Sequence, residues 1–548
     1  MYFKTTRTGA YTYLQIAQSY REAGKVRQRI LTTLGRLDVL QESGQLERLL
    51  ASGARHSERM AVISAHDAGK TEPVAVRKIG ADLVFSRLWE DLGLPSILKD
   101  LLQGRRFGFD VERAVYLTVL HRLFASGSDR AAERWREEYR IPGAEELDLQ
   151  HLYRSMAWLG EPLADGENIL SSPRCTKDQI EEALFDRDRD LFSGVDVVFF
   201  DTTSIYFEGE GGETLGQRGH SKDGRPDLKQ MIVGIAMDAK GKPLCCEMWP
   251  GNTADAKTLL PIVERMKKRF RIREVGIVAD RGMISDESIA AMEASDPPVR
   301  YILGARMRVQ KEVRDTVLNS RGAWLEIEPE RKTSKDASPL KIREVHVGER
   351  RYVVCLNEEQ RRKDEHDRMA ITEALRKQLK QGAKSLVGNK GYRRYLKTAP
   401  GSSFEIDEEK LKQEARFDGL WVLRTNMDDP AEIIARSYKM LWMVEDLIRT
   451  TKSIMETRPI YHKLDETIRG HVFCSFLALA LKIELERRMR EEEVDWEWAE
   501  IIRGLNNLHE VEAIFSGKRY VLRSQLVGHA HKAIRAAAVA VPPTLRQL

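Results

Sequence analysis

The chain has 548 residues, and at roughly 150 residues per domain that length implies about three or four folded units, not one. Its 42% hydrophobic and 32% charged residues provide large cores beneath a well-solvated surface, which excludes a mostly disordered protein. A net charge of +5, from 89 Lys+Arg against 84 Asp+Glu, permits a nucleic-acid partner without requiring one.

The opening MYFKTTRTGAYTYLQIAQ lacks the basic, apolar and small-residue regions of a secretory signal, so a cytoplasmic location is expected. Apolar and polar residues alternate over Thr12, Tyr13, Leu14, Gln15 and Ile16, and a turn at Ala23-Gly24-Lys25 leads into a basic strand, Lys25 to Ile30; this predicts a small twisted hairpin. Ala51 to Thr71 is short of large apolar residues and reads as a connector. From Lys78 to Phe192 apolar residues recur at three and four, as in Val111, Ala114, Val115, Val119 and Leu123, which predicts a helical domain.

At Asp196 the texture changes to strands. Val197 to Phe200 is a continuous apolar run ending abruptly at Asp201-Thr202-Thr203, as in a strand buried on both faces. Strands at Lys229 to Asp238 and Pro243 to Trp249 follow, then a helix from Ala254 to Phe270, a strand at Val275 to Ala279 ending in Asp280, a helix from Asp286 to Glu293 and a strand from Arg300 to Gly304. Met307 to Met427 interrupts this sheet, with strands at Lys341 to Val347, Arg351 to Leu356 and Leu420 to Arg424 and a basic helix from Arg361 to Leu379 that carries Arg362, Lys363, Arg368, Arg376 and Lys377. One long helix is expected from Asp429-Pro430-Ala431, with Asp as cap and Pro in the first turn. The most apolar stretch, Val472 to Ile483, contains Lys482 and is shorter than the about 20 residues of a membrane span. Cys175, Cys245, Cys246, Cys355 and Cys474 are too scattered for a disulfide framework or a zinc site. Two basic runs, Arg265, Lys267, Lys268, Arg269, Arg271 and Arg273, and Lys518, Arg519, Arg523, Lys532 and Arg535, are either solvated faces or phosphate contacts.

Asp201 and Asp280 each follow a buried strand, and two acids at one sheet edge can share a hard cation that takes oxygen ligands. Glu445 can supply a third, with Tyr438 seven residues before it and Lys452 seven after, so that all three fall near one helix face. Each acid also has a plainer reading: Asp201 as a turn former, Asp280 as part of an Asp-Arg-Gly loop, and Glu445 as the i,i+4 partner of Arg449.

Together these residues carry a resemblance. Tyr438, Glu445 and Lys452 resemble the signature Tyr-x2-Arg-x3-Glu-x6-Lys of bacterial DDE transposases of the insertion-sequence-four superfamily. Asp201 in Phe199-Phe200-Asp201-Thr202-Thr203 and Asp280 in Ala279-Asp280-Arg281-Gly282 resemble that superfamily's aspartates, 280−201 = 79 positions apart, and Glu445 follows after 445−280 = 165 positions. The block His220 to Gln230, and Glu456-Thr457-Arg458-Pro459-Ile460-Tyr461 with Arg469-Gly470-His471, resemble the 1634-type branch. Where the signature has arginine this chain has Leu441; the contact is either missing or supplied by another cation such as Arg436 or Lys439.

The resemblance implies an α/β fold with a ribonuclease-H-like catalytic core and a mainly β insertion, preceded by a small β-rich segment and a helical domain. The expected divisions are 1–75 (β-rich segment and linker), 76–192 (helical, DNA-binding), 193–306 (first part of the core), 307–427 (β-rich insertion), 428–490 (glutamate helix and the helix after it) and 491–548 (helical tail). It implies Asp201, Asp280 and Glu445 as catalytic metal ligands for two Mg²⁺ ions about 3.5–4 Å apart, with Mn²⁺ able to substitute. It implies Tyr438, Lys452, Arg449, Lys222, Arg225 and Arg281 as DNA contacts. The implied function is cut-and-paste transposition: a homodimer, bound to double-stranded DNA and to no membrane, cuts the inverted-repeat ends and joins them to target DNA in the bacterial cytoplasm, at the nucleoid. Two alternatives stay open, a nuclease of the same fold without strand transfer and a catalytically inactive DNA-binding regulator. The insertion, with Trp324 and its basic helix, either grips the DNA or is a dimer brace or plain surface embellishment.

Overall fold

The computed structural model describes every residue except 23–24, 55, 68, 70–71, 165–167, 170–171, 189–195, 273, 329–337, 382–394, 399–403, 454–456 and 493–495. The turn expected at Ala23-Gly24, the connector's end at Thr71, the boundary expected at 192–193, Arg273 and Glu456 lie outside the described residues. The rest forms two compact units, one of Met1–Ala81, Glu138–Arg140 and Trp496–Leu548, the other of Asp82–Glu137 and Ile141–Asp495. Strands are numbered below in chain order.

In the first unit β1 (Tyr2–Thr8), β2 (Tyr11–Glu22) and β3 (Lys25–Arg36) form an antiparallel sheet in that order. The expected hairpin is β2–β3, and β1 adds a third strand. The stretch read as a connector is largely helical, with helices Gln45–Ala54 and Glu58–Asp67, before β4 (Glu72–Lys78). The expectation of a helical C-terminal tail fails. After helix Trp498–Asn506, β18 (His509–Phe515) and β19 (Lys518–Arg523) pair across Ser516 and Gly517, whose φ angles of 51° and 76° suit a two-residue hairpin turn. With β20 (Leu545–Gln547) and β4 they make a four-stranded sheet, β20-β19-β18-β4. Val62 from helix Glu58–Asp67 packs with Ala513, Tyr520, Leu522 and Leu545, so the two ends of the chain share one core.

The second unit opens with the expected helices, among them Val111–Phe124, Asp129–Trp135, Leu149–Leu159 and Thr176–Asp188, and a minimal ribbon, β5 (Asn168–Ile169) with β6 (Ser172–Pro173). Asp110, Ser128 and Asp148 cap three of the helices through their side chains. The main sheet has nine strands in the order β12-β13-β14-β17-β11-β10-β7-β8-β9. They are β7 (Asp196–Tyr206), β8 (Gln230–Asp238), β9 (Pro243–Pro250), β10 (Val275–Ala279), β11 (Arg300–Gly304), β12 (Leu325–Ile327), β13 (Leu340–Val347), β14 (Arg350–Asn357) and β17 (Leu420–Thr425). β7, β10 and β11 run parallel, and every other pairing is antiparallel.

Two expectations need correcting here. The insertion does not interrupt the sheet: β17 pairs with β11, and β14, β13 and β12 extend the same ladder outward. Nor is it mainly β, because its longest element is the 24-residue helix Glu358–Gln381, accompanied by a small ribbon, β15 (Leu396–Thr398) with β16 (Phe404–Ile406).

Side-chain alternation assigns the faces. Val198 and Phe200 of β7, Ile277 and Ala279 of β10, and Tyr301 and Leu303 of β11 join Leu259, Ile262, Met266, Ile289 and Met292 of helices Asp255–Lys268 and Asp286–Glu293 in one core. Two residues of the first basic run, Arg265 and Arg269, belong to this layer and are not phosphate contacts, whereas Lys268 and Arg271 are exposed. Arg265 is fully buried and pairs with Glu247, and Arg269 pairs with Asp178 at 3.0 Å. Lys177, also buried, reaches Asp178 at 2.6 Å and the Cys246 carbonyl at 2.7 Å. Charges removed from water need such partners, and the Asp178 partner of Arg269 and the Cys246 carbonyl that Lys177 reaches lie far away in sequence. The five cysteines are all free and buried.

Helix Asp465–Glu491 runs against helices Leu149–Leu159 and Val111–Phe124. The first contact is backbone on backbone: a Cβ on Gly470 would stand 1.9 Å from the Met156 carbonyl oxygen, and one on Gly160 2.0 Å from that of Glu466. Beside it lies a buried polar knot. Arg122 Nη2 donates to His471 Nδ1 at 2.9 Å and to Asp129 at 3.4 Å, and His462 Nε2 approaches the other Asp129 oxygen at 3.1 Å.

Gly470→Ala should therefore cost about 2–4 kcal/mol, seen as a lowered urea midpoint. A second expectation follows from His471, whose pKa is pushed down to about 4 by burial first and then by Arg122. A depressed folded pKa means that His471 stabilises the fold fully above its ordinary value of 6.5 and that the contribution drains away as the pH falls towards about 4. Linkage puts the whole effect at about 3 kcal/mol, and His471→Asn should flatten the fall in urea midpoint measured from neutral to mildly acidic pH.

Candidate active site

The face of the sheet opposite that core carries the acids. The β7–β10 pairing ends at Phe200 beside Ala279, so the next residue on each strand is an aspartate, Asp201 and Asp280, and both turn away from the core through which Phe200 and Ala279 pack. Asp280 ends its strand as expected. Asp201 does not, because β7 runs on to Tyr206 while pairing with β8, and Asp201 lies opposite Ile235. What stops at Phe200 is only the parallel half of the pairing.

Glu445 comes from helix Leu441–Ser453, which packs on β7 and β8. Tyr438 belongs to a different helix, Ala431–Lys439, which packs on β10, β11, β13 and β14. The expected single helix is therefore two, joined at Met440, whose carbonyl accepts from Met443 N–H at 2.9 Å. The break lets each half follow its own strands. The N-cap of the first half is Pro430, without a side-chain cap, so the cap expected of Asp429 is not made.

The three acids act on one another. The Asp201 pKa is raised to about 6, first by burial and further by the charges of Asp280 and Glu445, against Lys222 and the Thr202 N–H. That N–H donates to Asp201 Oδ1 at 2.7 Å. The Tyr438 hydroxyl donates to Asp280 Oδ1 at 2.9 Å, and burial and Asp280 raise its pKa. Glu445 has no ion-pair partner among the described residues. The i,i+4 pairing with Arg449 is not formed, since Arg449 binds Asp446 instead.

The expected DNA contacts divide into two groups. Lys222 is at the site, its Nζ 2.8 Å from the Thr202 carbonyl and 3.0 Å from Asp255. Lys452 lies 2.8 Å from Asp223. Arg281 follows Asp280 and borders a cleft of about 320 Å³ with Arg308, Asp364, Asp367 and Arg368 of the insertion. Arg225 and Arg449 are on the surface, paired with Asp227 at 3.0 Å and with Asp446. Trp324 is exposed beneath the Arg343 guanidinium, 4.7 Å from its ring centre. Sequence reasoning gave no role to Asp223, Asp255, Arg458 or Gly304. Arg458 and Asp223 stand inside the blocks that carried the resemblance, and that was the available signal.

Three carboxylates collected without a cation among them are a hard-oxygen donor set suited to a divalent ion. Among the described residues the only group of three His, Cys, Asp or Glu whose ligand atoms lie within 4.8 Å of one another is Asp129, His462 and His471, so the three acids stand further apart than that. The His-Asp group fits a metal poorly, because Arg122 already holds a buried positive charge against it.

Carboxylates from two adjacent parallel strands, with a third from a helix packed on them and Lys222 nearby, form the kind of donor set that metal-assisted phosphate-ester chemistry uses. The family model described as "Transposase DDE domain" matches residues 193–481, more than half of the chain and all three acids, and the chain belongs to the DDE transposases. The model described as "IS1634 family transposase, N-terminal domain" matches residues 3–67, which makes the chain an IS1634-type insertion-sequence member of that family. No curated protein matches. Among solved structures, a piggyBac transposase in a synaptic complex with hairpin DNA is similar at 11% identity over 78% of each chain, with a TM-score of 0.37, too low to bear on the fold.

Gly304 makes room for Tyr438: a Cβ there would stand 2.4 Å from the phenol oxygen and 3.1 Å from the carbon bearing it. Gly304→Ala should lower stability by about 1–3 kcal/mol. In a Tyr438→Phe background it should cost clearly less, as measured by a urea double-mutant cycle.

Proposed function

We propose that this transposase carries out metal-dependent cut-and-paste transposition, binding the inverted-repeat ends of its element, cleaving them and joining them to target DNA. The carrying observation is the convergence of Asp201, Asp280 and Glu445 on one sheet face, where the charges of the other two raise the Asp201 pKa. The five strands β9-β8-β7-β10-β11, three antiparallel and then two added in parallel, with helices on both faces, support a ribonuclease-H-like core.

Asp201, Asp280 and Glu445 would hold Mg²⁺, two ions in all, with Mn²⁺ a substitute. When bound, the ions supply charge stabilisation for an in-line attack on a phosphodiester by water or a 3′-hydroxyl. Tyr438 fixes the Asp280 carboxylate through its hydroxyl. Lys222 sets the charge beside Asp201 while held by Thr202 and Asp255. Lys452 meets a backbone phosphate, and Arg281 lies on the DNA path. Arg225 and Arg449 have only surface ion pairs, which are weak enough to be given up to DNA. The working form is a homodimer on two DNA ends, in the cytoplasm at the nucleoid. Among the described residues no helix is long and apolar enough to cross a membrane.

Asp201→Asn and Glu445→Gln should each abolish cutting of a donor plasmid while retaining DNA binding. Mg²⁺ should raise the Tm of the wild-type protein, since a ligand of the native state stabilises it, and should raise that of Asp201→Asn much less. Normal cutting by either variant would refute the reading, and cut ends that are never joined would favour the nuclease.

A further inference from the structure

Leu441 begins its helix 7% exposed, packed where a guanidinium would have to be buried. Both cations considered for the missing arginine are already engaged. Arg436 donates to Glu432 and, at 3.0 Å, to the Glu328 carbonyl, and Lys439 also has a partner.

A different arginine stands beside Lys452. Lys452 Nζ and Arg458 Nη1 both converge on Asp223 Oδ1, at 2.8 and 2.5 Å. The Asp223 side chain is 6% exposed, and its Oδ2 is buried without a hydrogen-bond partner among the described residues. Arg458 remains 29% exposed, and its other N–H groups meet no acceptor among the described residues. Two cations gripping one oxygen of a carboxylate whose other oxygen is unused is the geometry in which they would grip a phosphate oxygen. Lys222, the neighbour of Asp223 in the chain, reaches Thr202 beside Asp201, so the pair borders the acids.

We propose that Lys452 and Arg458 form one phosphate clamp, with Arg458 supplying the cation absent at Leu441, and that Asp223 occupies the clamp until a DNA phosphate displaces it. This rests on the reading in which Lys452 meets a backbone phosphate. An arginine suits the task because its planar fork can hold one phosphate with two donors, whereas a lysine brings a point charge. In the free protein Asp223 keeps the two cations paired and oriented at low cost. On binding, the phosphodiester brings the same single charge on two non-bridging oxygens, so it can take over both cations from the carboxylate it replaces.

The test measures binding of a blunt DNA duplex of mixed sequence to the full chain in Ca²⁺ buffer over a range of salt, with the Tm of each free protein. Arg458→Ala and Lys452→Ala should each weaken binding and each lower the slope of log affinity against log salt by roughly one unit. Arg458→Lys should keep the slope and lose part of the affinity. Asp223→Asn should lower the Tm of the free protein, because two partly buried cations lose their counter-charge, yet tighten DNA binding several-fold. If Asp223 only fixes its loop, Asp223→Asn weakens binding or leaves it unchanged, and the proposal falls. A wild-type slope in Arg458→Ala, with a lowered one in Lys452→Ala, also overturns it while sparing the reading of Lys452. A wild-type slope in Lys452→Ala refutes that reading and the clamp with it. Should Arg458→Ala fail to fold, Arg458→Lys and Asp223→Asn decide.

Discussion

Two strands that run parallel and stop pairing at the same level, Phe200 beside Ala279, force their next residues together, and here both are acids. Much of the surrounding structure answers that crowding. Glu445 adds a third negative charge from above, and burial first, then the charges of Asp280 and Glu445, raise the Asp201 pKa to about 6. The compensations are local: the Thr202 N–H on Asp201, the Tyr438 hydroxyl on Asp280, and Lys222 held at the rim by Thr202 and Asp255. None of these is a cation seated between the acids. A multivalent cation bound among them, as proposed, would relieve this repulsion, so that ion binding and the folded state would reinforce one another.

The layers on the two sides of the sheet meet different demands. Beneath the acids, the core of β7, β10 and β11 with helices Asp255–Lys268 and Asp286–Glu293 is apolar and close-packed, giving the aspartates a rigid floor. Above them, the helices are placed by backbone contact and buried polar groups, through Gly160, Gly470 and the knot of Arg122, Asp129 and His471. Arg458 lies on the segment between the Glu445 helix and that knot, where His471 Nε2 stands 3.3 Å from the Thr457 carbonyl. The placement of this segment therefore depends on the helical layer as much as on the sheet.

The core was readable because its signals are local. The strands Val275–Ala279 and Arg300–Gly304 and the helix Asp286–Glu293 fall where the apolar runs place them, since a buried parallel strand is a continuous apolar segment between turn residues. The spacing of Tyr438, Glu445 and Lys452 was equally plain. The break at Met440 was not, because no Gly or Pro marks it and methionine and leucine are good helix formers; the strands beneath decide it. Asp201 was misread as a strand end because the partner that carries β7 onward, β8, is chosen by tertiary pairing. Arg265 and Arg269 resembled a basic surface because nothing in their own stretch announces Asp178 or Glu247. The C-terminal hairpin did have a signal, Ser516-Gly517 between alternating segments, which the surrounding basic residues obscured.

Because β17 pairs with β11, the insertion is hydrogen-bonded into the same ladder that carries Asp280. Excising it would turn β11 into a bare margin of unpaired N–H and C=O groups, a template for pairing with other chains. It would also remove β13 and β14, on which the Tyr438 helix rests. A trimmed chain of this kind would lose solubility along with one wall of its site, so the segment is hard to discard. Evolutionary shortening of this protein is thus constrained by the exposed margin it would create as well as by chemistry.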